Sequence, residues 1–296
     1  MNGIICINKP QGFTSFDVVA KLRGILKTRK IGHAGTLDPM ATGVLPVFVG
    51  NATKACDIMP DNMKSYTASF RCGSETDTQD STGTVTAEYD KKVSAEEINL
   101  VLPEFTGAIQ QIPPMYSAVS VNGQRLYELA RKGIEVERKP RSITVGSLVL
   151  TQFSSETQEG MLEIVCSKGT YVRTIIHDIG QKLGCGAHMT ALVRTSSNGF
   201  SLSDCVTLDQ LQEYADSGCA EDHLLAVERV FEPLSEIRLN ARNTQMYRNG
   251  VKLYSDKLGI DSADPEKKYR VFSDSQTFLG LAYVKDGCLR VFKNFF

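Results

Sequence analysis

GHAGTLDPMATG, residues 32–43, sets one imidazole (His33) and one carboxylate (Asp38) among three glycines and two alanines. Asp38 precedes Pro39, and proline directly after a capping aspartate commonly starts a helix. A helix is therefore predicted from Pro39, with backbone N–H groups that hold the Asp38 carboxylate ionised. Capping alone would explain the aspartate, and a simple turn would explain the histidine. A cap and a reactive carboxylate are compatible, so both residues stand as candidates. Short apolar runs flank the loop, GIICINKP (3–10) and VLPVFVG (44–50), and both read as strands. Between the first run and the loop, Thr14 or Ser15 opens a helix whose apolar positions Phe16, Val19, Leu22 and Leu26 fall near a 3.6-residue period.

Further along, KSYTASFRCG (64–73) alternates, which places Tyr66, Ala68, Phe70 and Cys72 on one face of a strand. Ser94 and Glu97 form a capping box ahead of EEINLVLPEF (96–105). SITVGSLVL (142–150) and MLEIVCSKG (161–169) read as strands. A helix from Tyr171 to Leu183 carries the stripe Val172, Ile175, Ile176, Ile179 and Leu183, and Gly184 ends it. Strands and helices mix without a regular βαβ alternation, which predicts an α+β fold. Composition shifts near VFEPLSEIRLN (230–240). Beyond it, residues 267–296 read as short strands with an Asp286–Gly287 turn, a small β-rich second domain.

A chain of 296 residues, 42% of them hydrophobic, fits about two domains and buries a full core. No apolar run reaches the roughly 20 residues of a membrane span, and MNGIICINKPQG carries no basic-then-apolar leader. A cytoplasmic protein is expected. Eight cysteines without a CxxC pair read as reduced thiols, not as a metal site. Walker, GxGxxG, HExxH and GxSxG patterns are missing, so the expected chemistry uses a carboxylate with neither cofactor nor metal. Net charge is −1, yet Lys21–Lys30 holds five cations and no anion, and Arg125–Arg141 holds six cations against three glutamates. Such stretches are either ordinary solvated faces or parts of a polyanion surface.

Arg173 falls in the first turn of its helix, where a cation opposes the macrodipole at a cost of about 0.3–1 kcal/mol. Pairing with a carboxylate or a phosphate would account for it; an accident of the surface is the plain alternative. Tyr171, at the start of that helix, is placed to stack on something planar. Core packing is the plain alternative for Tyr171 and for Tyr66.

Five segments in order, INKPQGFTS, GHAGTLDPMATGVLPV, KSYTASFRCGSETDTQD, IQQIPPMYSAVSVNGQRLYELARKGIEVER and CSKGTYVRTIIHDIGQKLGCGAHMTALVRT, together resemble the TruB-type tRNA pseudouridine-55 synthases. The resemblance covers roughly the first two hundred residues. It implies a catalytic domain over 1–235 with a mixed, mainly antiparallel sheet, an RNA-clasping insertion at about 124–141, and a PUA-like RNA-binding domain over 236–296. The implied reaction isomerises a flipped uridine in the tRNA T-loop, with Asp38 as the catalytic aspartate and Arg173 as its partner. Tyr66 would stack on the target base, His33 would contact RNA, and Tyr171 and Leu192 would line the uridine pocket. Lys9 and Pro10 would support the cleft floor, while the small residues around Asp38 would let an RNA backbone approach. The partner implied is the tRNA T-arm stem-loop, bound by a monomer that needs no protein partner and no membrane. Asn8 replaces a common aspartate, and LVRT replaces LRRT, which keeps Arg194 but removes one possible phosphate contact. Rival readings are an RNA folding factor without catalysis and a nucleoside glycosidase; the latter would want a second carboxylate, and none stands out in the sequence.

Overall fold

Thr14 caps the first helix, Ser15–Ile25, through reciprocal hydrogen bonds with Asp17. The helix buries Val18, Val19, Leu22 and Ile25, while Phe16, expected on that stripe, is 63% exposed. Two helical steps separate Phe16 from Val18, or about 200° of rotation, and this turns its ring away from the core. Its ring lies beneath the Arg23 guanidinium instead, 5.7 Å from the centroid. The computed structural model describes residues 1–60, 63–260, 264 and 266–296.

Among these residues a ten-stranded sheet forms the larger part of the molecule. Its main path runs Cys205–Val206, Gly3–Lys9, Thr42–Val49, Ala187–Ser197, Lys64–Cys72, Glu159–Cys166, Arg141–Ser154 and Gly107–Gln111. Two of these pairings are parallel, Gly3–Lys9 with Cys205–Val206 and Thr42–Val49 with Ala187–Ser197; the others are antiparallel. The sheet is therefore mixed and mainly antiparallel, as expected. Lys64–Cys72 alternates as the sequence implied, with Tyr66, Ala68, Phe70 and Cys72 buried. The Val172–Leu183 helix lays its expected stripe against this sheet and ends at Gly184, φ 67°. The Ser94–Glu97 capping box opens Ala95–Val101.

No helix starts at Pro39. Asp38 to Ala41 form a single turn, with the Ala41 N–H donating to the Asp38 carbonyl at 3.0 Å, and Thr42–Val49 then extends as a strand. The Pro39 carbonyl, which a helix would have used, accepts instead from the Gly12 N–H at 2.8 Å and from Lys9 Nζ at 3.3 Å. Gly43 follows at φ +101°, where a Cβ would meet the Arg194 carbonyl oxygen. Only glycine allows the two parallel strands to close there.

A second sheet of five strands orders Ser235–Arg238, Lys268–Phe272, Phe278–Lys285, Cys288–Asn294 and Leu253–Tyr254. The expected hairpin turn is Asp286–Gly287, with both residues at positive φ. Alternate residues of Gly3–Lys9 serve two cores, as a period of two requires. Ile5 and Ile7 pack with the first helix, whereas Ile4 and Cys6 join Phe48, Phe231, Phe272, Phe278 and Phe295. All eight cysteines are free thiols. Among the described residues no helix is long and apolar enough to cross a membrane.

Candidate active site

Asp38 sits on its turn at the junction where the parallel strands Thr42–Val49 and Ala187–Ser197 meet. The turn is tied down from the N-terminal segment NKPQGFTS. The Leu37 N–H donates to the buried Ser15 Oγ at 2.8 Å, and Ser15 Oγ reaches the Leu37 carbonyl at 3.3 Å. Lys9 is fully buried beneath the turn, and its Nζ donates to the carbonyls of Phe13 at 2.5 Å and Pro10 at 3.0 Å. Burial draws the Lys9 pKa down to about 8, against the attraction of Asp38. Lys9 and Pro10 thus pack beneath the Asp38 turn.

Arg173 reaches Asp38 from the first turn of the Val172–Leu183 helix. Its Nη2 lies 3.3 and 3.4 Å from the two Asp38 carboxylate oxygens and donates to the Tyr116 carbonyl at 2.6 Å. Its Nη1 lies 3.5 Å from Asp80 Oδ2 and donates to the Thr78 carbonyl at 3.3 Å. The arginine side chain is 5% exposed; that of Asp38 is 35% exposed. Burial raises the Asp38 carboxyl above the ordinary carboxylate range, and Arg173 pulls it back. This corrects the expectation of helical N–H groups holding the charge: with no helix at Pro39, the opposing interaction is a guanidinium, and the carboxyl stays raised.

Asp80 is the functional neighbour that sequence reasoning missed. It is 3% exposed and accepts from Thr78 Oγ1 at 2.8 Å, Thr82 N–H at 2.9 Å and Thr82 Oγ1 at 2.5 Å. The sign was there in TDTQDST (76–82), where Asp80 stands among hydroxyls that could satisfy it. Sealed in this way, Asp80 orients Arg173 and does not offer a second carboxylate to the cleft. Gln111 was missed as well. It is buried and clamps Tyr171 by both backbone groups, accepting from the Tyr171 N–H at 2.8 Å and donating to its carbonyl at 3.0 Å.

Tyr171 caps that helix, half-buried, with the Arg173 guanidinium 5.8 Å from its ring centroid. Tyr66 and Leu192, 7% exposed each, share the apolar cluster that includes Leu37 and Met40. Burial raises the Tyr66 phenol, and the Arg194 guanidinium beside it opposes the shift. His33 ends the short strand Ile31–His33, with its Nδ1 buried and unpartnered; burial and Arg194 lower its pKa. The structure therefore brings Asp38, Arg173 and Tyr171 into one constellation, sets Tyr66 and Leu192 in its wall, and leaves His33 at its margin near Arg194.

Two expectations change. Arg194 is fully buried, donating from Nε to the Val44 carbonyl at 2.7 Å and from Nη2 to the Gly35 carbonyl at 2.9 Å, so it is no phosphate contact. The small residues of the loop accommodate the protein itself. Ala34 and Ala41 are buried, Gly35 lies against Lys64 and Arg194, and Gly43 against the Arg194 backbone.

The sequence matches the TruB family pseudouridylate synthase N-terminal domain over residues 23–172 and the tRNA pseudouridylate synthase B C-terminal domain over residues 173–237. The chain belongs to the TruB family. It is 43% identical over 282 residues to tRNA pseudouridine synthase B of Clostridium perfringens strain 13, covering 95% of this chain and 94% of that protein. It is 41% identical over 298 residues to the Bacillus subtilis strain 168 protein of the same name, covering 98% and 96%. Among solved structures, a Cbf5-Nop10-Gar1 complex contains a chain of the same fold, with a TM-score of 0.76 at 25% identity, covering 99% of this chain and 85% of that one. The curled C-terminal sheet is consistent with a PUA-like domain within this TruB-family architecture.

Proposed function

We propose that this chain converts uridine 55 in the T-loop of tRNA to pseudouridine, with Asp38 as the catalytic carboxylate. As a member of the TruB family it is an isomerase that makes pseudouridine in tRNA. The N1–C1′ bond breaks, the held base turns, and a C5–C1′ bond forms. The proton on C5 is lost to solvent and N1 gains one, so the product is an isomer and no electrons change hands. The uridine leaves its stack to reach the site, at a cost of a few kcal/mol.

The contact of Arg173 with Asp38 carries the reading. It joins the partly exposed Asp38 carboxylate to a guanidinium that opposes the upward pull of burial on its pKa, with Tyr66, Tyr171 and Leu192 as apolar walls for a planar base. Arg173 holds the carboxylate in place and Tyr66 stacks on the uracil. His33 meets the RNA at the margin of the site. The 124–141 segment clasps the T-arm and orders as it binds, and the domain beyond residue 235 takes the rest of the stem. The protein acts as a monomer in the cytoplasm, and prying open the T-arm also assists tRNA folding.

Tritium release from a T-arm hairpin carrying C5-tritiated uridine tests the proposal. Wild type should release tritium, while Asp38→Asn should bind the hairpin with no release. Release by Asp38→Asn at the wild-type rate would remove Asp38 from the chemistry. Binding by both proteins with release by neither would favour a folding factor.

A further inference from the structure

Apart from the Asp38–Arg173 pair, the site holds cations with no carboxylate paired to them among the described residues, and they gather at Gly35. A Cβ built on Gly35 would lie 2.9 Å from Lys64 Nζ and 3.3 Å from Arg194 Nη1, so the two cations converge on one point of the loop. Arg194 is fully buried and spends its hydrogen bonds on the Val44 and Gly35 carbonyls and the Tyr66 phenol, with no carboxylate paired to its charge, while the buried His33 Nδ1 nearby has no partner. Lys64 is half-buried, and its Nζ makes no hydrogen bond or ion pair among the described residues. The charged and titratable groups acting on it are Arg194, Lys168 and the Cys166 thiol, with no carboxylate among them. Burial and those cations draw the Lys64 pKa down to about 8.

A desolvated cation surrounded by cations is a costly arrangement unless an anion joins it. Its position says which anion. Lys64 precedes Tyr66 by two residues on the same strand, so the two share a face. Gly35 precedes Asp38 by three residues on the same loop. An anion at Lys64 Nζ therefore lies one short step from a base held by Tyr66 and a sugar at Asp38. Backbone phosphate is the anionic group that every nucleotide carries at that separation.

We propose that Lys64 Nζ, backed by the buried charge of Arg194, forms a subsite for the backbone phosphodiester flanking the target uridine. The assignment rests on the reading of Asp38 as a uridine-isomerising centre. Arg194 is sealed from solvent and supplies field only; Lys64 makes the contact.

The test pairs protein and RNA changes. Hairpins with a single uncharged methylphosphonate at each phosphate flanking the uridine are titrated against wild type, Lys64→Met and Lys64→Arg. Lys64→Met should weaken hairpin binding roughly ten- to hundredfold, the range for a charge-assisted bond. It should also lower the salt slope of log K by about 0.7, one single-strand phosphate contact. One methylphosphonate position should cost wild type the same factor and cost Lys64→Met nothing further. Additive losses at every position would overturn the proposal. Affinity of wild type should fall between pH 7.5 and 9 as Lys64 loses its proton, while Lys64→Arg stays flat; parallel profiles would also overturn it. The Lys64→Arg and methylphosphonate arms stand even where Lys64→Met does not fold. Because all arms read binding, absent pseudouridine formation by wild type on the unmodified hairpin would count against the activity and not against the contact.

Discussion

Arg173→Met keeps a good helix former and much of the apolar stem at this position while withdrawing the guanidinium from between Asp38 and Asp80. Removing one partner of a buried ion pair costs about 3–5 kcal/mol. The structure places this case at the low end. Asp38 keeps 35% of its side chain open to water, and Asp80 keeps its three hydrogen bonds from Thr78 and Thr82. A loss of about 3 kcal/mol follows, which for a chain of this size lowers the melting temperature by about 6 °C. The pH dependence identifies the cause. Burial already holds the Asp38 carboxyl above its ordinary value, and Arg173 opposes that shift, so without Arg173 it climbs further. A carboxyl whose folded pKa exceeds the unfolded value of about 3.9 destabilises the fold above that value and stops doing so below it. The deficit of Arg173→Met should therefore be largest near neutral pH and shrink as pH falls through the raised range of the carboxyl. Thermal unfolding followed by circular dichroism at pH 7.5 and pH 5 reads this directly. Adding Asp80→Asn, which removes the second stranded charge, should raise the melting temperature of the variant at pH 7.5. A deficit equal at both pH values, with no recovery in the double variant, would mean that Arg173 matters for helix packing and not for charge.

Ser15→Ala strips the Oγ that accepts from Leu37 N–H at a site 1% exposed, so about 1–3 kcal/mol should be lost in urea unfolding. Because Leu37 adjoins Asp38, single-turnover rates should fall more than hairpin affinity does. Lys9 is drawn down to about 8 in the fold and titrates near 10.4 when unfolded, so the unfolded chain holds the extra proton between those values. Its charge therefore opposes folding at neutral pH, and that penalty fades as pH rises from 8 toward 10.4. The stability of wild type relative to Lys9→Met should climb over that window; a flat difference would refute the shift.

Elements whose own residues dictate their packing are legible in the amino-acid sequence alone. The alternation of Tyr66, Ala68, Phe70 and Cys72 and the stripe of Val172, Ile175, Ile176, Ile179 and Leu183 both appear in the fold. Arg173 is legible as a cation in need of an anion, because the macrodipole makes its position unfavourable. Pro39 misleads because its carbonyl is taken by Gly12 and Lys9, which lie about thirty residues away in sequence and outside any local window. Asp80 escapes notice since its hydroxyl neighbours look like an ordinary turn, and its arginine comes from a helix far along the chain. Arg194 looks like a surface cation because arginine is seldom fully buried, and its partners, the Gly35 and Val44 carbonyls and the Tyr66 phenol, come from distant parts of the chain.

The aromatic seam of Phe231, Phe272, Phe278 and Phe295 against Ile4, Cys6 and Phe48 bears on how the molecule is made. Ile4 and Cys6 leave the ribosome well before Phe231, Phe272, Phe278 and Phe295, which cover that face of their strand. Over that interval the nascent chain carries an open apolar ribbon whose lid does not yet exist. Late stop codons are then most harmful to the earliest strand, and the time between making that strand and closing it is when a chaperone would matter most.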